Sequence, residues 1–350
     1  MKVLSDLGEK RIIDIIKRTT KNSSLSVDKI TDDVAIMDIG SRYLLFKIEA
    51  SFEEYDFPPF AKPEEVAQTA LAIAVSDFAA KGERPLAIVT SLELPMHMKA
   101  AYFTRLSNGL DYFARKYGAE IVGGDVSESN RLAITPAIVG FGKKGHTMMR
   151  KGAKRGNVVA IADYIGDYVA GYTALKNGIK MSRETKAYLK KKMLSIEPQL
   201  HVGWQIADTG RITSTIDLND GLEKCSKEIA ELNDVDIVLY GNKLPISHCA
   251  REVAGKLGIK PESFALSFGG DLNIMMTFEP KYFEIVKKAV KRGGKRLFKI
   301  GEVRSGSGDV LIGEEQNGSV YETRLLEKSS YEHFVTGPLY KERLWRKVLI

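Results

Sequence analysis

The sequence is poor in the residue types that usually announce a site. It has two cysteines, Cys225 and Cys249, and five histidines in 350 residues. Two cysteines are too few for a disulfide framework or a four-ligand structural zinc site, and no histidine pair has the HExxH spacing of a zinc hydrolase. Both cysteines read as packing residues. No apolar run reaches the roughly 20 residues that span a bilayer. The start, Met1-Lys2-Val3-Leu4-Ser5-Asp6, lacks the apolar core of a secretion signal. The expectation is a cytoplasmic protein with no membrane partner. There is no GxxxxGK(S/T) phosphate loop and no GxGxxG after a first strand, which excludes the two commonest nucleotide-binding schemes. The net charge of +7 is spread along the chain. Lys190-Lys191-Lys192 and Lys287-Lys288 read as solvated, and no basic stripe interleaved with aromatics marks a nucleic-acid groove. A basic field still favours an anionic substrate.

What is present is ordinary in bulk: 44% hydrophobic and 28% charged residues, as in a globular protein. The length suggests two domains, each with its own core. Strand-like and helix-like stretches alternate. Val34–Met37 and Tyr43–Phe46 read as strands around a Gly40-Ser41 turn. Pro63-Glu64-Glu65 opens a helix, because proline suits the first turn and acids its positive end; it should run to about Ala80 and stop at Gly82. Strands are expected at Leu86–Leu94, Ala119–Val122 (closed by Gly123-Gly124) and Ile134–Phe141, with a helix over Lys99–Tyr117. The polar stretch Gly142–Asn157 reads as a domain linker. Beyond it come strands at Val158–Ala162, Ser214–Asp217, Ile237–Tyr240 and Ile274–Phe278. Helices are expected over about Gly166–Lys176, Arg183–Leu194, Leu200–Thr209, Gly221–Leu232, Ser247–Leu257 and Pro280–Arg292, and strand and loop after Phe298. This mixture indicates an α/β (α+β) fold, divided as 1–145 and 146–350.

The informative feature is where the acids sit. Asp77 interrupts Ala70-Leu71-Ala72-Ile73-Ala74-Val75-Ser76-Asp77-Phe78-Ala79-Ala80. A carboxylate in such a run is costly unless hydrogen-bonded, paired or bound to a metal, and it lies too late in its helix to cap it. Asp125 follows Gly123-Gly124, whose small size leaves room for a ligand. Asp217 and Asp220 flank a strand-to-helix junction, Asp32 and Asp33 precede a strand, and Glu49 ends one. Taken singly, Asp220 is a helix cap and Asp32 a turn residue. Taken together, oxygen donors with no histidine or cysteine among them suit magnesium, which typically bridges protein carboxylates to phosphates.

These segments, in order, resemble thiamine-monophosphate kinase and the ATP-binding superfamily that includes aminoimidazole ribonucleotide synthetase. Thr31–Ala35 is similar to the family's GDDAA, Ile48–Phe57 to TDxLVEGxHF, Ser76–Pro85 to SDxAAMGxxP and Ile121–Ser129 to IxGGDTxxS. Gly145–Asn157 is similar to GRxxxRxGAxxGD, Ile216–Leu222 to IDxSDGL, Gly269–Met275 to GGEDYEL and Ser330–Phe334 to GYDHF. The likeness runs from about residue 8 to 335.

The resemblance implies an N-terminal α/β domain that forms a dimeric β-barrel with its twin, and a C-terminal α/β domain that closes over the nucleotide. It implies transfer of the γ-phosphoryl group of ATP to the phosphate of thiamine monophosphate. Magnesium would be held by Asp33, Glu49, Asp77, Asp125, Asp217 and Asp220, with Asp77 and Asp220 central to catalysis. Gly124, Arg150 and Asn219 would contact the nucleotide, and Asp56, Asp271 and Tyr331 the substrate. The departures fall beside a metal ligand, at the nucleotide and, for Asp56 and Asp271–Ile274, at the substrate. Lys47 and Ile48 replace small hydroxyl residues, Glu49 an aspartate, Asp56 a histidine and Asn219 a serine, while Asp271-Leu272-Asn273-Ile274 loses much of GGEDYEL. A sister ATP-using enzyme with another small phosphorylated or heterocyclic substrate fits the same acids, and a non-catalytic nucleotide-binding module is the alternative from another class.

Overall fold

The computed structural model describes residues 3–20, 24–27 and 31–326. In chain order the elements of the first half are α1 (Gly8–Thr19), β1 (Ala35–Asp38), β2 (Tyr43–Ile48), β3 (Ser51–Phe52), α2 (Pro63–Lys81), β4 (Arg84–Pro95), α3 (Ala100–Lys116), β5 (Glu120–Ser129) and β6 (Ala133–Gly142). Those of the second half are β7 (Val158–Ala162), α4 (Asp167–Lys176), α5 (Arg183–Leu194), α6 (Leu200–Ala207), β8 (Ile212–Asp217), α7 (Leu222–Leu232), β9 (Val235–Tyr240), α8 (His248–Leu257), α9 (Ser263–Leu266), β10 (Ile274–Phe278), α10 (Phe283–Arg292), β11 (Leu297–Ser305), β12 (Val310–Gln316) and β13 (Ser319–Leu325). The mixed α/β class stands. Among the described residues the strands form two open sheets, not a closed barrel, and no helix is long and apolar enough to cross a membrane.

The first sheet has the order β1-β2-β6-β4-β5, with β3 on β6, and only β4 and β5 run parallel. Helix α2 covers one face. The Lys62 amide donates to Glu65 Oε2 at 2.7 Å at its start, and Gly82 at φ +69° ends it. Ala, Val and Leu surround this helix on all sides and nearly every residue is buried, the pattern of a helix inside a core rather than on a surface. The other face of the sheet is bare. Ile48, Ala137, Val89 and Gly123 lie in one cross-strand row, and Phe46, Ile48 and Val89 are 41%, 67% and 44% exposed.

The second sheet has the order β13-β12-β9-β11-β7-β10-β8, with β12 and β9 parallel. It is covered on both faces, so its central strand β7 is apolar at every position. Val158, Ala160 and Ala162 face one core, while Val159 and Ile161 face another. The first of these cores is continuous with α2 of the other half, through α6 and α10. There Gly203 of α6 lies directly on α2: a Cβ at Gly203 would sit 2.0 Å from the Ala79 carbonyl oxygen.

Two expectations differ from the structure. β5 does not close at Gly123-Gly124 but runs through both to Ser129, because glycine in an exposed edge strand removes a side chain without breaking the pairing with β4. The tail, expected as strand and loop, is so among the described residues, and its three strands belong to the second sheet. The stretch Gly142–Asn157 is more than a linker, since Met148–Arg150 is clamped between the two halves. The Met148 amide donates to the Lys81 carbonyl, the Thr215 amide to the Met149 carbonyl at 3.0 Å, and Ser214 Oγ to the Arg150 carbonyl at 2.6 Å.

Candidate active site

A cleft of about 280 Å³ opens where five pieces of chain meet: the Asp33 loop, the end of β2, the last turns of α2, the Arg150 segment and the turn after β8. The fold brings them together by local means. The buried Thr215 hydroxyl donates to the Ala80 carbonyl at 2.6 Å, tying β8 to the end of α2 and so Asp217 to Asp77. The Asn219-Asp220 turn is backed by Gly269, where a Cβ would sit 1.8 Å from the Asn219 carbonyl oxygen; only glycine admits that approach. The Asp33 loop is anchored by its neighbour. Asp32 pairs with Lys81 at 2.5 Å and accepts from the Arg150 amide at 2.9 Å.

Asp33, Asp77 and Asp217 each offer a carboxylate oxygen, all within 4.8 Å of one another. Burial and then the neighbouring Asp77 carboxylate push Asp217 up to about 8. Such a trio, all oxygen donors and with mutual repulsion that a cation would relieve, fits magnesium. Around it stand three side-chain cations. The Arg150 guanidinium pairs with Asp33 and, at 2.9 Å, with Glu228. Lys224 pairs with Asp220 at 3.1 Å. Lys47 Nζ lies 2.7 Å from both Glu49 and Asp77. Burial alone would lower the Lys47 pKa, but Asp77 and Glu49 more than offset it and hold it above the ordinary lysine range. Burial and the Asp77 charge raise Glu49, against the pull of Lys47.

Of the residues expected to hold metal, Asp33, Asp77 and Asp217 converge. Glu49 and Asp220 line the same cleft outside the trio, as do Arg150, Asn219 and Asp56. Asp125 and Gly124 do not line it. Asp125 sits two residues beyond Gly123 on β5, and strand alternation puts it on the bare face of the sheet. Asp271, expected at the substrate, turns away. Its oxygens accept from the Gly166 amide at 2.5 Å and the Tyr168 amide at 2.9 Å, holding the start of α4. Burial, then the Asp167 charge, push it up to about 7 against those two amides. Asn273 is likewise drawn inward, donating to the Tyr164 carbonyl at 2.5 Å. Tyr331 lies outside the described residues. The sequence reading missed Lys47, Lys81 and Glu228 as parts of the site. For Lys47 a signal existed: a charge inside the apolar strand Tyr43–Ile48 poses the same question as Asp77.

The N-terminal domain model of the AIR synthase related proteins matches residues 31–143 of this chain. The resemblance to thiamine-monophosphate kinases holds along nearly the whole length. The chain is 26% identical to thiamine-monophosphate kinase of Haemophilus influenzae over 92% of this chain and 97% of that protein. Among solved structures, thiamine monophosphate kinase from Aquifex aeolicus is 26% identical, with TM-score 0.75 over 92% of this chain and 100% of that one. AaThiL complexed with AMPPCP and TMP is also 26% identical, with TM-score 0.81 over 95% and 99%.

Proposed function

We propose that this chain is a thiamine-monophosphate kinase of the cytoplasm, transferring the γ-phosphoryl group of ATP to the phosphate of thiamine monophosphate. The observation that carries the reading is the convergence of Asp33, Asp77 and Asp217 from three separate elements into one cleft. It is supported by the full-length likeness to a relative solved with AMPPCP and TMP. Asp33, Asp77 and Asp217 would hold magnesium, with Asp220 at the cleft's edge. Magnesium bound there would neutralise phosphate charge and align the two anionic partners. The chain itself supplies positioning. Arg150 presents a planar fork suited to phosphate oxygens, and its buried Nε has no hydrogen-bond partner. Asn219 lies beside it for the nucleotide. Asp56, at the cleft with Tyr55 and Tyr168, offers a negative charge and aromatic faces to a cationic heterocycle. The acceptor phosphate is anionic at neutral pH, so no general base is required of the protein.

The reading extends to the assembly. The bare apolar face of the first sheet is of the kind that marks an interface. We infer a homodimer through it, closing a barrel between two copies and covering Asp125. The division 1–145 and 146–350 then separates the dimerising half from the half that closes over the nucleotide. A sister enzyme acting on another small phosphate is the second reading, favoured by the withdrawal of Asp271 and Asn273 into structural hydrogen bonds. The deciding experiment incubates the protein with magnesium, ATP and, separately, thiamine monophosphate, other vitamin phosphates and purine intermediates. Thiamine diphosphate with equimolar ADP supports the first reading. ADP formation only with another acceptor overturns it in favour of the second.

A further inference from the structure

Lys47 has no counterpart among the ligands of a hard-cation site, yet it occupies the middle of this one. Its position follows from the strand: Phe46 and Ile48 point to the bare face, so Lys47 points to the opposite one, toward α2. There its ammonium meets Glu49 Oε2 and Asp77 Oδ2, each at 2.7 Å, and its side chain is only 10% exposed. A largely buried lysine held between the buried Asp77 and the partly exposed Glu49 carboxylate is a fixed positive charge with its hydrogen-bonding capacity directed at the acids. Asp77 belongs to both groups. One of its oxygens faces Lys47, and it also contributes to the trio with Asp33 and Asp217. Asp217 makes no ion pair among the described residues. The charges thus divide: Lys47 balances Glu49 and part of Asp77, while the trio around Asp217 keeps its need for a cation.

We propose that the Lys47 ammonium is a built-in cation of this site. It substitutes for one divalent ion that Glu49 and Asp77 would otherwise share, so the chain loads fewer metal ions than its acids could hold. The proposal rests on the reading of the trio as a magnesium site and assigns Glu49 to Lys47 instead of to metal. Lys47 is here a charge-balancing and positioning residue.

The test counts bound Mn2+ by electron paramagnetic resonance on the full chain, with and without AMPPCP. Lys47→Ala should bind one more Mn2+ per chain than the wild type. Lys47→Arg, which keeps the charge, should bind the wild-type number. An unchanged count in Lys47→Ala overturns the proposal. Should Lys47→Ala not fold, Glu49→Gln gives an independent reading. With Glu49 paired to lysine, that variant keeps the wild-type count and affinity, whereas loss of a true ligand would lower Mn2+ affinity tenfold or more and overturn the proposal. The two levels fail differently. A wild type that binds no Mn2+ under either condition removes the magnesium reading, and this proposal with it. A wild type that binds Mn2+ while Lys47→Ala gains none removes only the role of Lys47.

Discussion

Replacing Lys81 by methionine, the residue of the SDxAAMG pattern, should cost most of the stability a single surface-distant change can cost. Lys81 and Asp32 form an ion pair at 2.5 Å with side chains 1% and 2% exposed. Asp32 also accepts from the Arg150 amide, so it fastens the Asp33 loop to both α2 and the Arg150 segment. Methionine matches the lysine stem in volume and leaves no cavity of note. What it leaves is a buried carboxylate without its counter-ion, and breaking a buried pair in this way costs about 3–5 kcal/mol. The retained bonds from the Arg150 and Asp33 amides recover about 1 kcal/mol each, which puts the expected loss near 2 kcal/mol. Asp32→Asn alone should cost a similar amount, because it strands the buried ammonium. The double variant carries neither charge and keeps an acceptor for the Arg150 amide. It should return to within about 1 kcal/mol of wild type, giving a coupling energy of several kcal/mol in the double-mutant cycle. Reversible urea unfolding followed by circular dichroism measures all four proteins. Additive single effects, or a Lys81→Met loss under about 0.5 kcal/mol, would refute the reasoning that this pair is buried and obligatory.

Three further outcomes are expected. Gly203→Ala should lower the thermal midpoint: helix propensity favours alanine by about 1 kcal/mol, but the Cβ would meet the Ala79 carbonyl of α2, at a cost of roughly 3 kcal/mol. A raised midpoint would show that α2 and α6 do not touch there. Asp271, pushed above its ordinary value of 3.8 to about 7, contributes stability that is present below about pH 4 and lost as pH rises through 7. The stability difference between wild type and Asp271→Asn should therefore move toward the variant over that window in urea titrations at several pH values. A flat or opposite trend contradicts the burial of this carboxyl. Val89→Glu places a charge in the centre of the bare face and should convert a dimer to a monomer in sedimentation velocity, and an unchanged sedimentation coefficient excludes that face as the interface.

Much of this was legible in the sequence, and the reason is physical. Asp77 stands out because a carboxylate in the apolar run Ala70–Ala80 demands a partner, and nearly every residue of α2 proved to be buried. β7 could be placed to the residue because a strand covered on both faces is a continuous apolar run. Other features are non-local and leave no local trace. That Asp217 reaches Asp77 depends on Thr215 docking on Ala80, more than 130 residues away in the chain, and that Asp33 does depends on Asp32 pairing with Lys81. Asp271 reads like a substrate residue through the likeness of its segment to GGEDYEL, yet the nearby Gly166 and Tyr168 amides draw it away. Asp125 lies in a motif beside the metal acids in sequence but on the far face of the sheet, since strand parity, not proximity along the chain, decides its direction. Lys47 was visible as a departure from pattern, but its pairing with both Glu49 and Asp77 required knowing which way β2 faces.

The most direct measurement is a crystal structure grown with AMPPCP and Mn2+, with anomalous diffraction to locate the ions. The account predicts an anomalous peak within about 2.0–2.4 Å of oxygens from Asp33, Asp77 and Asp217, with the nucleotide's phosphates on its open side. A metal bound elsewhere while these three carboxylates stay free of it would contradict the account.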